Sequence, residues 1–324
     1  MVYLLSMKKE HEEITVKVPH RLTGFFEIVD TEKGEVISSP ERIGSRGAGI
    51  SLSGMGKTTI RAKQSPQIKQ TRCNIYINGK KLNEQAETSY YIFDHFKVLI
   101  EKPYQVEILH KFDLPVGCGY GASGSGALGV SYGLNELFDL GLSPLECGRI
   151  AHISEVINKT GLGTICGLLC SGLCVLTEPG YPCTYERISV PRDIRVICTS
   201  FGEISTKSIL SDEDFQLKIK KAGKFVLKKF LSNPNINSFM DLSHDFIEKT
   251  QLLEVLGLDE TKSLIEQLNK QDIIGASMNQ LGRSVFAVCR AQQADMVLEV
   301  FESHQSPDKI FNLEVYEQGI EINR

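Results

Sequence analysis

Between Leu114 and Ala127 the chain reads Leu-Pro-Val-Gly-Cys-Gly-Tyr-Gly-Ala-Ser-Gly-Ser-Gly-Ala. Glycines at alternate positions let a backbone approach an anion closely, with amides free to point at it. Downstream, Ala127, Leu128, Val130, Leu134, Leu137 and Phe138 recur at helical steps, and upstream Val106–Leu109 reads as a strand. Strand, glycine-rich loop and helix start together make a phosphate cradle, because a helix N-terminus presents unpaired amides and favours negative charge. Pro115, Gly117, Gly119, Gly121, Ala122, Ser123, Gly124 and Ser125 are the candidate contacts, and the two serine hydroxyls are within reach of a phosphate-bound Mg2+. The plainer alternative is a glycine-rich turn feeding an ordinary helix.

The elements that must position this loop are legible in part. Ile14–Val18 alternates as a half-buried strand that Pro19 is expected to end, with a turn over 19–26. Short strands and turns are expected from there to about Lys111, with a second glycine-rich loop at Gly44–Gly49. Ser143, Pro144 and Glu146 mark a capped helix start, and that helix runs to Lys159 with Ile150, Ile153 and Ile157 as its expected buried stripe. Pro179-Gly180-Tyr181-Pro182 and Pro191 mark a boundary, dividing the chain into 1–185 and 186–324. Beyond it, a strand at 194–198, helices at 213–231, 237–254 and 260–270, a strand at 284–289, a helix at 293–303 and a strand at 310–316 suit an α+β sandwich. The lysines of the first of those helices read as a solvated face.

Composition narrows the classes. With 36 basic and 40 acidic residues in 324, the net charge of −4 gives no general nucleic-acid or membrane surface. No apolar run approaches the ~18 residues of a membrane span. Met1–Glu13 lacks a signal-peptide core, so a cytoplasmic location is expected. Nine cysteines, mostly in apolar stretches, are expected to be reduced and to behave as small hydrophobes. The spacing Cys166-x3-Cys170-x3-Cys174 differs from zinc-binding pairs. Gly54-Met-Gly-Lys-Thr-Thr59 imitates the end of a P-loop, but Ser51 stands where that motif needs glycine, and the flanks read as a hairpin.

The 114–127 loop resembles the phosphate-binding motif of the GHMP kinases: Pro115 fits, Gly119-Tyr120-Gly121 stands for Gly-Leu-Gly, and Ala122-Ser123 stands for Ser-Ser. Three more stretches resemble the archaeal pantoate kinase branch of that family. They are 19–28 with 44–50, 151–163 and 276–287, in the right order along the chain. The resemblance implies an α+β, two-domain fold, ribosomal-protein-S5-like then ferredoxin-like, with ATP and substrate meeting between the two parts. It implies phosphorylation of pantoate by ATP on the way to coenzyme A. It implies Mg2+ held by Ser123 and Glu155, with phosphates on the amides of 117–125. A substrate carboxylate calls for a guanidinium: Arg46 beside Ser45 is the first candidate, Arg21 or His20 the second. The adenine site is expected within 64–104. Kinases of this type are commonly homodimers.

Two positions depart from the pattern. Thr164 stands where an aspartate, a candidate base, usually follows Thr-Gly-Leu-Gly, and Leu176 stands where an arginine usually precedes Pro-Gly-x-Pro. Threonine is no general base near neutral pH, although homoserine kinases of the superfamily are thought to work without an aspartate. Three readings follow: a pantoate kinase with a substitute base or none, a GHMP kinase for another small alcohol, or a non-catalytic nucleotide-binding member.

Overall fold

The computed structural model describes residues 12–204, 206–209 and 211–324. Its strands include β1 (Glu12–Val29), β2 (Gly44–Lys63), β3 (Arg72–Ile77), β4 (Gln105–Phe112), β5 (Leu173–Glu178) and β6 (Thr184–Ile188). They continue with β7 (Ile194–Ser200), β8 (Gly275–Met278), β9 (Ser284–Arg290), β10 (Ile310–Glu314) and β11 (Glu321–Asn323). The helices that matter here are α1 (Glu87–Phe96), α2 (Ala122–Leu137), α3 (Pro144–Asn158), α4 (Thr164–Cys170), α5 (Glu213–Ser232) and α6 (Ile236–Thr250).

One sheet runs β11-β1-β2-β4-β3 and ends on the short strand Lys80–Lys81; β5 joins the other half of β2 and carries β6. A second, four-stranded sheet has the order β8-β9-β7-β10. The proposed division at 185/186 therefore falls inside β6, and the last strand of the chain returns to β1. No helix among the described residues is long and apolar enough to cross a membrane.

Strand β1 links two cores. Its first half places Ile14, Val16 and Val18 against α2 and its neighbours, with Leu128, Val130 and Leu134. Its second half places Leu22, Phe25 and Phe26 against the C-terminal helices, through Phe230, Phe239 and Phe246. Pro19 does not end the strand. It sits at a register shift between Pro19 and His20, where an interrupted ladder accommodates the residue without an N–H.

The second glycine-rich loop is likewise a strand. Gly44–Gly49 opens β2, paired with β1 on one side and, from Gly47, with β5 on the other. Glycine is poor in strands on its own account, and pairing on both edges overrides that preference. Gly54–Thr59 lies inside the same strand, so no hairpin forms there. The segment 64–104, weakly patterned in sequence, contains β3 and α1.

Helix α3 has its expected capping box, with the Glu146 amide donating to Ser143 Oγ and the Ser143 amide donating to Glu146. Its stripe is not the expected one. Ile157 is 47 % exposed, whereas Glu155 is 1 % exposed. The helix turns its small and polar side, Cys147, Ala151, Ser154 and Glu155, to the interior, and Ser131 and Ser123 of α2 donate to it. The cysteines also depart from expectation at one point: Cys166 and Cys183 form a disulfide, brought to a Cα separation of 5.3 Å by the fold of α4 against the 179–184 turn, while the other seven are free.

Candidate active site

The segment 113–121 carries its chain between β4 and α2 with Gly117, Gly119 and Gly121 at φ +77°, +86° and +70°. These are left-handed conformations that side chains resist. Gly121 is the N-cap of α2 and offers no side-chain cap, and the first helical ladder bond is from Ser125 N–H to Gly121 O at 2.9 Å. The amides of Ala122, Ser123 and Gly124 are thus left without ladder partners at the positive end of a 16-residue helix.

The loop is held from behind. Ile204 N–H donates to Gly117 O (3.1 Å), Ser284 Oγ to Cys118 O (2.7 Å), and Arg21 N–H to Tyr120 O (3.1 Å). Gly282 lies so close that a Cβ there would sit 2.1 Å from Cys118 O. Asn279 Oδ1 accepts from Thr23 N–H at 3.0 Å. The 276–287 stretch is therefore mainly a brace for the loop, with Gln280 and Leu281 reaching the cavity.

His20 is a brace too. Its ring spans from Tyr120 O (3.0 Å) to Leu114 N–H (3.4 Å) beneath the loop and does not line the cavity. Burial pushes its pKa down to about 4, partly opposed by the Tyr120 carbonyl and Asp113, so it is neutral at pH 7.

A cavity of about 630 Å3 opens in front of the loop. Gly117, Gly119, Gly121, Ala122, Ser123, Thr164, Arg21 and Ser45 line it. Ser123 Oγ donates to Glu155 Oε1 at 2.5 Å, and Thr160 Oγ1 lies 3.3 Å from the same oxygen. Glu155 Oε2 is buried with no hydrogen-bond partner among the described residues. Burial raises the Glu155 pKa, opposed by the Ser123 hydroxyl and the nearby hydroxyls of Thr160 and Thr164. A desolvated carboxylate with one free oxygen, next to a hydroxyl under an anion cradle, is a donor set that fits Mg2+.

Other predicted residues lie elsewhere. Ser125 is fully buried and donates to Val18 O (3.2 Å), facing the sheet. Pro115 and Gly124 do not line the cavity. Arg46 does not line it, although Ser45, Gly47 and Ala48 of the same strand do. Its Nη2 donates to Glu27 Oε2 at 2.8 Å instead. Arg21 faces the cavity from a 4 % exposed position, with Nη1 donating to Gly167 O at 3.1 Å.

Thr164 begins α4 beside Gly121 and Gly124, and Leu176 presents an apolar side chain to the same space. Sequence reasoning missed Glu87, Lys159, Glu203, Lys207 and Gln280, which also line the cavity. Lys207 Nζ lies 3.3 Å from both Glu87 oxygens, joining the two halves of the chain across the cavity mouth. Lys159 and Gln280 lie in the stretches 151–163 and 276–287 that resemble the family, whereas Glu87, Glu203 and Lys207 carry no local signal.

Residues 87–169 match the family described as GHMP kinases N terminal domain. A pantoate kinase from Methanocaldococcus jannaschii is 30 % identical over 285 residues, covering 88 % of this chain and 96 % of that one. A pantoate kinase from Thermococcus kodakarensis is 30 % identical over 315 residues, covering 95 % and 97 %. The chain belongs to the pantoate kinase family. Among solved structures, a phosphotransferase related to the CoA biosynthesis pathway superposes with TM-score 0.81 at 28 % identity, covering 96 % of this chain and 99 % of that one. A homoserine kinase from Cytophaga hutchinsonii shares the fold at TM-score 0.67 and 15 % identity, covering all of both chains. The α+β GHMP kinase fold expected from the sequence is therefore the fold of this pantoate kinase family member.

Proposed function

We propose that this chain transfers the γ-phosphoryl group of ATP to the primary hydroxyl of pantoate, giving 4-phosphopantoate and ADP. The observation that carries the reading is the Ser123–Glu155 pair, 2.5 Å apart, at the open N-terminus of α2. Phosphoryl transfer is mainly positioning and charge neutralisation. The amides of 122–124 and the turn glycines hold the β- and γ-phosphates. Ser123 and Glu155 would hold Mg2+, which neutralises charge on the transferring group.

Arg21 takes the substrate carboxylate, since it is the arginine in the cavity and a guanidinium matches a carboxylate in shape and charge. Leu176, Ala48 and Phe25 supply an apolar wall that suits the two methyl groups of pantoate. Thr164 takes no proton, so transfer proceeds without an aspartate base there. The cavity holds both an arginine and carboxylates, which speaks against a non-catalytic member. A cytoplasmic location and a homodimer complete the reading.

ADP release with MgATP, with and without D-pantoate and beside homoserine, mevalonate and galactose, tests it. Release that depends on pantoate supports the reading. Equal release with another alcohol moves the substrate, and silence with all four overturns the kinase.

A further inference from the structure

The face of the large sheet opposite α2 carries a groove of about 580 Å3, lined among others by Lys57, Thr59, Arg61, Tyr76, Asn78 and Lys111. In register, Lys17 stands opposite Lys57, and Lys57 opposite Lys111, so three lysines cross β1, β2 and β4 in one row. Like charges directly opposite each other weaken a sheet. Lys17 is neutralised by Glu321 at 2.8 Å. Lys57 and Lys111 have no acidic partner among the described residues.

Lysines on a sheet often guard an exposed edge. That explanation fails here, because β2 and β4 are interior strands. The charge is also one-ended. Two rungs along, Arg61 is flanked by Glu13 and Glu107, which balance it. Between them lie Thr59, bonded to Thr15 at 2.9 Å, and Leu109, which pairs with Tyr76 on β3.

We propose that this groove binds a small organic diphosphate. Its two anionic groups lie across Lys57 and Lys111, and its organic part covers Tyr76 and Leu109. The volume is in the range of small-molecule sites, and the anion would remove the repulsion of the lysine row. The groove is separate from the active-site cavity: the two share no lining residue, and Thr58 on the other face of β2 is buried against α2. The inference does not depend on the substrate of that cavity.

Calorimetric titration of the full chain with inorganic pyrophosphate tests it, beside the variant Lys57→Gln/Lys111→Gln. The wild type should show two binding events, one at the 117–124 loop and one at the groove. The double variant should keep the first and weaken the second at least 10-fold. Without ligand and at low salt, the double variant should melt about 1 °C higher, because the repulsion is gone. Should the double variant fail to fold, Lys111→Gln alone, at an exposed position, must weaken the second event at least 5-fold. Identical isotherms for wild type and variant overturn the proposal. So does lysine-dependent binding of a single-stranded oligouridylate at concentrations where pyrophosphate shows one event only.

Discussion

At its phosphate end the cavity is made of backbone, whereas at its acceptor end it is made of side chains. The 117–124 loop works through amides and turn glycines, and its supports are backbone carbonyls held by Ser284, Ile204 and Arg21. The acceptor end collects Arg21 and Ser45 from β1 and β2, Thr164 from α4 and Leu176 from β5. Backbone geometry tolerates little change in spacing. A side-chain pocket can exchange one group for another, and Thr164 and Leu176 sit at that end. The comparison teaches that Thr164 and Leu176, in place of the usual aspartate and arginine, leave the glycine turns and the Ser123–Glu155 pair in place.

Several substitutions would break or sharpen this contrast. The largest effect belongs to Glu155→Gln, at the phosphate end. Turnover should fall at least ~10²-fold, from loss of several kcal/mol of charge stabilisation. Its stability should move the other way. Glu155 has a raised pKa in the fold, so the unfolded chain loses its proton first and stability falls as pH rises above the ordinary carboxylate range. At pH 7 the glutamine variant, without metal, should melt at or above wild type. A lower melting temperature together with full turnover would remove Glu155 from the site.

Next is Arg21→Met, at the acceptor end. The KM for pantoate should rise on the order of 10–10³-fold, by loss of a charged contact, with a smaller change in kcat. Arg46→Met should alter KM less than about 3-fold, since its guanidinium is held by Glu27 and does not line the cavity. Steady-state kinetics on the pair decides between the two arginines; the reverse order of effects would restore Arg46 to the pocket.

Thr164→Ala should cost less than about 10-fold in kcat, because it removes a hydroxyl from the cavity wall and no base. A loss of 10³-fold would make Thr164 a participant in the transfer itself.

The smallest effect on catalysis, and a clear one on stability, concerns two buried histidines, His20 behind the loop and His110 between Thr58 and Ser89. Burial lowers the pKa of His20 and of His110 to about 4. The unfolded chain therefore takes up protons that the fold refuses, and stability should fall as pH drops from about 6.5 to 4. The linkage amounts to about 3 kcal/mol per histidine at the acid end. Urea unfolding across that range checks it, and His20→Gln should flatten the dependence.

The contrast also explains what could be read from the sequence. The loop was legible because glycine spacing and the helix that follows are local signals, and the capping box of α3 was legible for the same reason. Glu155 emerged only through family resemblance, since periodicity alone favours the isoleucine stripe of α3, of which the fold buries Ile150 but leaves Ile153 half-buried and Ile157 exposed. Gly44–Gly49 reads as a loop, which made Arg46 the first candidate; in the strand its guanidinium pairs with Glu27, and Arg21 is the arginine that lines the cavity. Pro19 and the glycines of β2 hid two long strands, whose pairing depends on partners far along the chain. Glu203 and Lys207 reach the cavity from segments that carry no local mark.

The most direct test of the central claim is a 31P NMR spectrum of the product formed from ATP and D-pantoate, recorded with proton coupling. The account predicts a new phosphomonoester signal split into a triplet by the two protons of C4, with ADP formed in equal amount. A doublet, from phosphate on the C2 hydroxyl, or inorganic phosphate alone would contradict it.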